Sequence, residues 1–267
     1  MSRLIKEITP PILVTFFKKL KRKYGWFGNY RSWEEALRHS EGYDSAIIAD
    51  KVKEALLKVK NGEAAFERDS VVFDKIEYSW PLLAGLMWAA ARNKGVLNVL
   101  DFGGSLGGTY FQNRNFFDGL VEVHWSVVEQ QKFVDNGNSF FSNEELKFYE
   151  NLEQCFAKQT PQVVLFSCVL QYLAQPFEMI ERVMKLNPEF IVVDNMPFVK
   201  DGGNRITVQK VDPVIYTGSY PCWILDKSVF LQAFKSYEMV ENFESQLSIN
   251  LDNETIIYEG FIFKRKE

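Results

Sequence analysis

Histidine and cysteine are scarce in this sequence, and the scarcity removes several chemistries at once. Only His39 and His124 are available for a zinc site or a Ser-His-Asp triad, so metal-independent chemistry is expected. The three cysteines, Cys155, Cys168 and Cys222, are odd in number and scattered without metal spacing, which predicts reduced thiols in a cytoplasmic setting. No apolar run reaches the roughly 18 residues that a membrane-spanning helix needs. Internal repeats and low-complexity segments are absent too. A net charge of −4 is too small to argue for a nucleic-acid partner.

What is present suits one large α/β domain with an extension: 267 residues, 46% hydrophobic and 25% charged. The beginning stands apart from the rest. Residues 12–17 are apolar except for Thr15, and Lys18, Lys19, Lys21, Arg22 and Lys23 follow directly. Residues 1–25 carry a charge of +6 against −10 for the remainder. A secretory signal would place its charges before the apolar stretch, so the segment does not read as one. Two readings stay open for it. One is a solvated first helix; the other is a helix on an anionic membrane surface, which would hold the chain at the inner face of the membrane.

The texture changes near residue 95. Residues 1–95 read as a helical extension of helices and loops, with helical spacing over 46–59 and a very apolar helix over 82–91 opened by Pro81. Between them lies the charged cluster Glu67-Arg68-Asp69-Ser70. From Val96, short apolar runs (97–102, 124–129, 146–149, 163–169, 190–194) alternate with helical stretches such as 177–186. Buried strands alternating with helices predict a Rossmann-like, doubly wound, mostly parallel sheet over 96–267. After a helix near 228–236, strand-like runs at 238–249 and 255–264 flank Leu251-Asp252-Asn253-Glu254 and predict a closing hairpin with one antiparallel strand. That hairpin separates methyltransferase sheets from NAD-binding ones.

The sharpest local signal is Val99-Leu100-Asp101-Phe102-Gly103-Gly104-Ser105-Leu106-Gly107-Gly108. A strand enters an acid, then a glycine-rich turn, then a helix. The dinucleotide fingerprint G-x-G-x-x-G fails in both registers, because Ser105 or Leu106 stands where its second glycine belongs. An acid two residues before the first glycine would repel a pyrophosphate but welcome the ammonium of S-adenosylmethionine. D-x-G-x-x-x-G therefore favours the methyl donor over a dinucleotide or a plain structural turn. Glu129, ending the next strand, is either the ligand of the ribose hydroxyls or a solvated acid. Glu150, Asn151 and Leu152 either cradle adenine or cap the following helix. Ser167, Gln171 and Tyr172, at the fourth strand's end, either orient the reactants or close the strand; Tyr172 could set a ring near the sulfonium.

At this point the chain resembles a family of S-adenosylmethionine-dependent methyltransferases encoded among bacterial surface-polysaccharide genes. The resemblance runs from about Trp26 onward. It includes Gly42-Tyr43-Asp44, Phe66-Glu67-Arg68-Asp69-Ser70, residues 100–107, residues 125–130, residues 167–173, Arg205-Ile206-Thr207-Val208-Gln209 and Tyr220-Pro221-Cys222-Trp223. It implies a class I methyltransferase fold, with Asp101, Gly103, Gly107 and Glu129 holding the cofactor. One segment departs: the family's fifth strand ends D-R-T-P-F, and here it ends Asp194-Asn195-Met196-Pro197-Phe198. The missing arginine removes a potential anion clamp.

Methyl transfer from a sulfonium is mainly a matter of orientation. A hydroxyl acceptor would need a base, and Asp194 at the fifth strand's end is the candidate, against its reading as a capping acid. The insertion at about 199–225 reads as a long loop. In it Arg205, Gln209, Tyr216, Tyr220 and Trp223 are either an acceptor wall, with Arg205 reading a carboxylate or phosphate, or buried anchors. Arg68 and Asp69 either close the site or pair with one another. His124 sits at the wrong end of the sheet. Three classes follow: methyl transfer to a hydroxyl of a sugar or surface-glycan precursor, a non-catalytic adenosine-ligand module, and, disfavoured by the broken fingerprint, a nicotinamide-dependent enzyme.

Overall fold

The computed structural model describes residues 23–42, 45–200, 202–252 and 254–267. The basic start read at residues 1–25 falls almost wholly outside the described residues, as do Tyr43, Asp44, Asp201 and Asn253.

The first described element is a strand, β1 (Gly25–Tyr30), followed by helices α1 (Trp33–Arg38) and α2 (Ser45–Lys60). Ser32 caps α1 by accepting from the Glu35 N–H, as a serine three residues before a glutamate is suited to do. Strands β2 (Phe66–Arg68) and β3 (Val71–Phe73) form a hairpin closed by Asp69 and Ser70. Both take positive φ, 51° and 67°, the backbone of a two-residue type I′ turn. Helix α3 (Trp80–Arg92) carries Pro81 in its first turn, where a missing N–H loses no bond. The expectation of helices and loops alone before residue 95 is thus corrected: three strands lie there.

Regular alternation then follows through β4 (Val96–Phe102), α4 (Gly108–Asn113), β5 (Glu122–Val128), α5 (Gln131–Phe140), β6 (Leu146–Tyr149), α6 (Leu152–Phe156), β7 (Val163–Ser167), α7 (Pro176–Lys185) and β8 (Phe190–Met196). The chain continues through β9 (Phe198–Val199), β10 (Arg205–Lys210), β11 (Ser219–Asp226), α8 (Lys227–Ala233), β12 (Tyr237–Leu251) and β13 (Glu254–Arg265).

Seven strands make the main sheet in the order β12-β13-β8-β7-β4-β5-β6. Strands β4 to β8 are parallel, and β13 joins β8 antiparallel, as the hairpin reading predicts. The period-2 alternation sends neighbours to opposite faces. Val163 and Leu165 of β7, with Phe190 and Val192 of β8, pack in one core with residues of α2, α3 and α5. Val164, Phe166, Ile191 and Val193 pack in a second core with residues of α6, α7 and α8. Each central strand is buried on both sides, hence the unbroken apolar runs.

Residues 201–223, expected as an irregular loop, hold β10 and part of β11. These strands pair antiparallel, and a second sheet of order β1-β10-β11-β9 is completed on either side of them. Trp26 of β1 stands opposite Gln209 of β10, so the first described strand and the insertion share one sheet. Strand β9, just after β8, pairs with β11 and links the two sheets.

Candidate functional site

A cavity of about 970 Å³ opens where β4, β5, β7 and β8 end. Parallel α/β sheets bind their ligands at this edge, where strand order reverses around β4.

The glycine loop forms its floor, with Gly103, Gly104, Ser105 and Gly108 lining it. Packing within the protein explains the glycines. A Cβ on Gly103, at φ 70°, would fall 2.3 Å from Val169 Cγ2, and one on Gly104 would fall 2.4 Å from the Asp101 carboxyl. Gly107, at φ 89°, sets up the start of α4 behind the lining. Ser105 holds φ 55° without being glycine.

Asp101 departs from expectation. Its side chain is fully buried under the loop and does not line the cavity. The Trp125 indole donates to Asp101 Oδ2 at 3.2 Å, while Oδ1 has no hydrogen-bond partner. Burial pushes the carboxyl up to about 7. The carboxyl that the sequence reading sets against a ligand ammonium thus lies behind the glycine loop and off the lining.

Glu129 follows β5 and does line the cavity. Its Oε2 accepts from the Gln130 N–H at 2.7 Å, and burial raises its carboxyl above the usual range. Asn151 takes the capping role, accepting from the Gln154 N–H at 2.8 Å, and is off the lining, while Glu150 beside it lines the wall. Strand β7 stops at Ser167 rather than 169, because Cys168 turns into the left-handed region at φ 55°. Ser167, Cys168 and Val169 remain on the wall. Gln171 lies behind it, fully buried, donating to Cys168 Sγ at 3.2 Å and to the Asn195 carbonyl at 3.3 Å. It joins the ends of β7 and β8 and does not touch the cavity, a second correction to the cofactor set. Tyr172 faces inward, donates to Gln209 Oε1 at 2.8 Å and meets Tyr220 edge-on at 5.4 Å.

Of the acceptor candidates, Arg68, Gln209, Tyr216 and Tyr220 line the cavity, and the two tyrosine hydroxyls share a 2.8 Å hydrogen bond. Arg205 and Trp223 do not, which corrects both. The Arg205 guanidinium donates to the Gly28 carbonyl and, at 2.8 Å, to Asp252, clamping β10 to β1 and the β12–β13 turn. The Trp223 indole donates to the Leu173 carbonyl at 3.0 Å and stacks on Trp33. Arg68 stands 3.6 Å from Glu77 and over the Phe73 ring, and Asp69 lines the cavity beside it.

Asp194 reaches the cavity with only 4% of its surface exposed. Asn195 Nδ2 donates to its Oδ2 at 2.8 Å, and Oδ1 has no partner. Burial lifts this carboxyl to about 6. Sequence reasoning did not single out Glu67, which is 7% exposed, accepts from the Ser70 N–H at 2.7 Å and is raised by burial to about 7. Ser79 and Asn195 were missed as well. So were residues 244–247, which a register shift between Glu244 and Ser248 of β12 folds inward, with the Ser245 hydroxyl donating to Asn195 Oδ1. The charged cluster Glu67-Arg68-Asp69-Ser70 at the hairpin could have flagged Glu67, but nothing local encodes the β12 irregularity.

Among the described residues seven carboxyls line the cavity, Glu67, Asp69, Glu77, Glu129, Glu150, Asp194 and Glu244, against the single guanidinium of Arg68. Four of the eight non-glycine residues at positive φ (Asp69, Ser105, Cys168 and Asn195) lie on this wall. Such backbone costs about 1–3 kcal/mol each and concentrates at functional sites.

No protein-family model matches the chain, and no curated protein matches it. Solved structures show a distant likeness. The 1,6-didemethyltoxoflavin-N1-methyltransferase of Burkholderia thailandensis, with S-adenosylhomocysteine bound, is 11% identical with a TM-score of 0.40, over 85% of this chain and 92% of that one. Magnesium protoporphyrin IX methyltransferase from Synechocystis PCC 6803, with bound S-adenosylhomocysteine, is 10% identical with a TM-score of 0.45, over 84% and 100%. LepI in complex with S-adenosylmethionine is 12% identical with a TM-score of 0.44; the match covers 70% of this chain but 47% of LepI, about half its length. These likenesses are too distant to assign a function to this chain.

Proposed function

We propose that this chain is an S-adenosylmethionine-dependent methyltransferase acting on a small polar acceptor, of the sugar or surface-glycan class that the sequence resemblance implies. One observation carries the reading: the glycine loop after β4 and Glu129 after β5 line a single cavity rich in carboxyls. A cationic sulfonium is attracted there, whereas the pyrophosphate of a nicotinamide cofactor would meet repulsion. The residues fit the donor. The Gly103–Ser105 backbone would take its amino-acid portion over the buried, unpartnered Asp101 Oδ1, Glu129 its ribose hydroxyls, and Glu150 the edge of its adenine.

When bound, the donor supplies a methyl group activated by positive sulfur. The chain holds the acceptor against it, since good alignment can contribute about 7–11 kcal/mol. Asp194 is placed to orient the acceptor and take its proton. Tyr172, Gln209, Tyr216 and Tyr220 form a hydrogen-bonded wall that fixes the approach.

A thermal-shift comparison tests the reading. S-adenosylhomocysteine at a hundredfold excess over its Kd should stabilise the chain by about 2.7 kcal/mol, and NAD should not. Stabilisation by NAD alone would overturn it. Labelled methyl transfer into glycan precursors then separates an enzyme from a binding module.

A further inference from the structure

The cavity wall is acidic, and among the described residues Arg68 is its one cation. Glu67, Asp69 and Asp194 line it, while Arg68 is engaged by Glu77 at 3.6 Å and by the Phe73 ring. Among the described residues no lysine or histidine lines the cavity. Arg205, the natural reader of an anion, is turned away to Gly28 and Asp252.

Asp194 adds an observation independent of this clustering. Its side chain is 4% exposed and lines the cavity; Ser79 and Asn195 stand beside the carboxyl, yet Oδ1 makes no hydrogen bond of good geometry. An unmet buried polar atom costs about 1–3 kcal/mol, so a donor arriving with a ligand would be bound strongly. Burial raises the Cys168 thiol, and the negative charges of Asp69 and Asp194 add to that rise.

We propose that the acceptor is an amine, recognised as an ammonium by Asp194 on this carboxyl-rich wall, and that acceptors carrying a carboxylate or phosphate at this position are excluded. This rests on the methyltransferase reading. The proton bookkeeping is simple. The ammonium gives one proton to the Asp194 carboxylate; the freed lone pair forms the new N–C bond; the S–C bond breaks with its electron pair left on sulfur. The donor's positive charge thereby passes to the methylated nitrogen. Chemistry favours nitrogen over oxygen here. A carboxyl held at about 6 is a modest step below an alkylammonium near 10. A sugar hydroxyl lies much nearer to water, at about 15.7. The faces of Tyr172, Tyr216 and Tyr220 are also hospitable to a cation.

The test is calorimetry on the full chain saturated with S-adenosylhomocysteine, titrated with glucosamine, glucose and glucuronate. Glucosamine should bind at least about tenfold more tightly than glucose, and glucuronate no more tightly than glucose. Asp194→Asn should abolish the preference for the amine while keeping S-adenosylhomocysteine affinity within about twofold. Should that variant not fold, Asp69→Asn is read for the same loss of preference. Equal binding of the three sugars, binding of none, or tightest binding of glucuronate overturns the amine acceptor while leaving the methyl-donor reading intact. Absence of S-adenosylhomocysteine binding to the wild type removes both.

Discussion

The seven-stranded and four-stranded sheets face one cavity but build their walls from different material. At the ends of β4, β7 and β8 the wall is largely backbone. Gly103, Ser105, Cys168 and Asn195 all sit at positive φ, and the nearby side chains Asp101 and Gln171 are buried behind them. Opposite, the hairpin β2–β3 and the strands β10 and β11 supply side chains that hydrogen-bond or pair with partners, among them Gln209, Tyr220 and Arg68. A backbone cradle tolerates little change because its geometry is set by close packing. A side-chain wall can be altered one group at a time. The first suits the donor; the second, together with Asp194 at the end of β8, suits a particular acceptor.

The strongest way to break this contrast is to add one carbon to the cradle. Gly104→Ala drives a Cβ to 2.4 Å from the Asp101 carboxyl, an overpacking that should cost about 3 kcal/mol. S-adenosylhomocysteine affinity is expected to fall about a hundredfold. In Gly108→Ala the new carbon meets only Glu67 Oε2 at 3.6 Å, so affinity should change less than about threefold. Similar losses in the two variants would show that packing does not hold the loop.

Titration gives a smaller effect and samples both walls. Asp101 and Glu67 are raised to about 7 and Asp194 to about 6, so the folded chain keeps protons that the unfolded chain has shed. The stability these groups contribute is fully present below the unfolded carboxyl values near 4 and is lost as pH rises through 6 to 7. The ligand-free melting midpoint should therefore drop by roughly 3–6 °C between pH 5 and pH 8 in scanning calorimetry. Asp101→Asn and Glu67→Gln should each flatten that slope. A midpoint that climbs with pH would contradict the burial assigned to these groups.

The smallest effect concerns a side chain assigned to structure. Arg205→Ala removes the clamp between β1, β10 and the β12–β13 turn, and should lower unfolding stability by about 1–2 kcal/mol. The relative binding of glucosamine and glucuronate should not move. A selective change for glucuronate would return Arg205 to the acceptor site.

The two sheets also differ in how much of them could be read from residues. Strands β4, β5, β7 and β8 are buried on both faces, so their apolar runs and the intervening helical periods are visible locally. Asp101-x-Gly103 and the hairpin β12–β13 are equally local. The four-stranded sheet is not, because it joins residues far apart in the chain: Trp26 pairs with Gln209, and β9 pairs with β11. Side-chain direction was the other blind spot. The residues after β7 and β8 are identifiable, but only the turn at Cys168 decides that Tyr172 faces the cavity while Gln171 is hidden. Likewise, whether Arg205 reads a ligand or a carbonyl depends on the register of β1, which no motif encodes.

Calorimetric titration of the purified chain with S-adenosylhomocysteine addresses the methyl-donor cradle most directly. One ligand should bind per chain, and Glu129→Ala should weaken it about 10- to 100-fold by removing charge-assisted bonds to the ribose. No heat of binding, or an affinity indifferent to Glu129, would contradict the account.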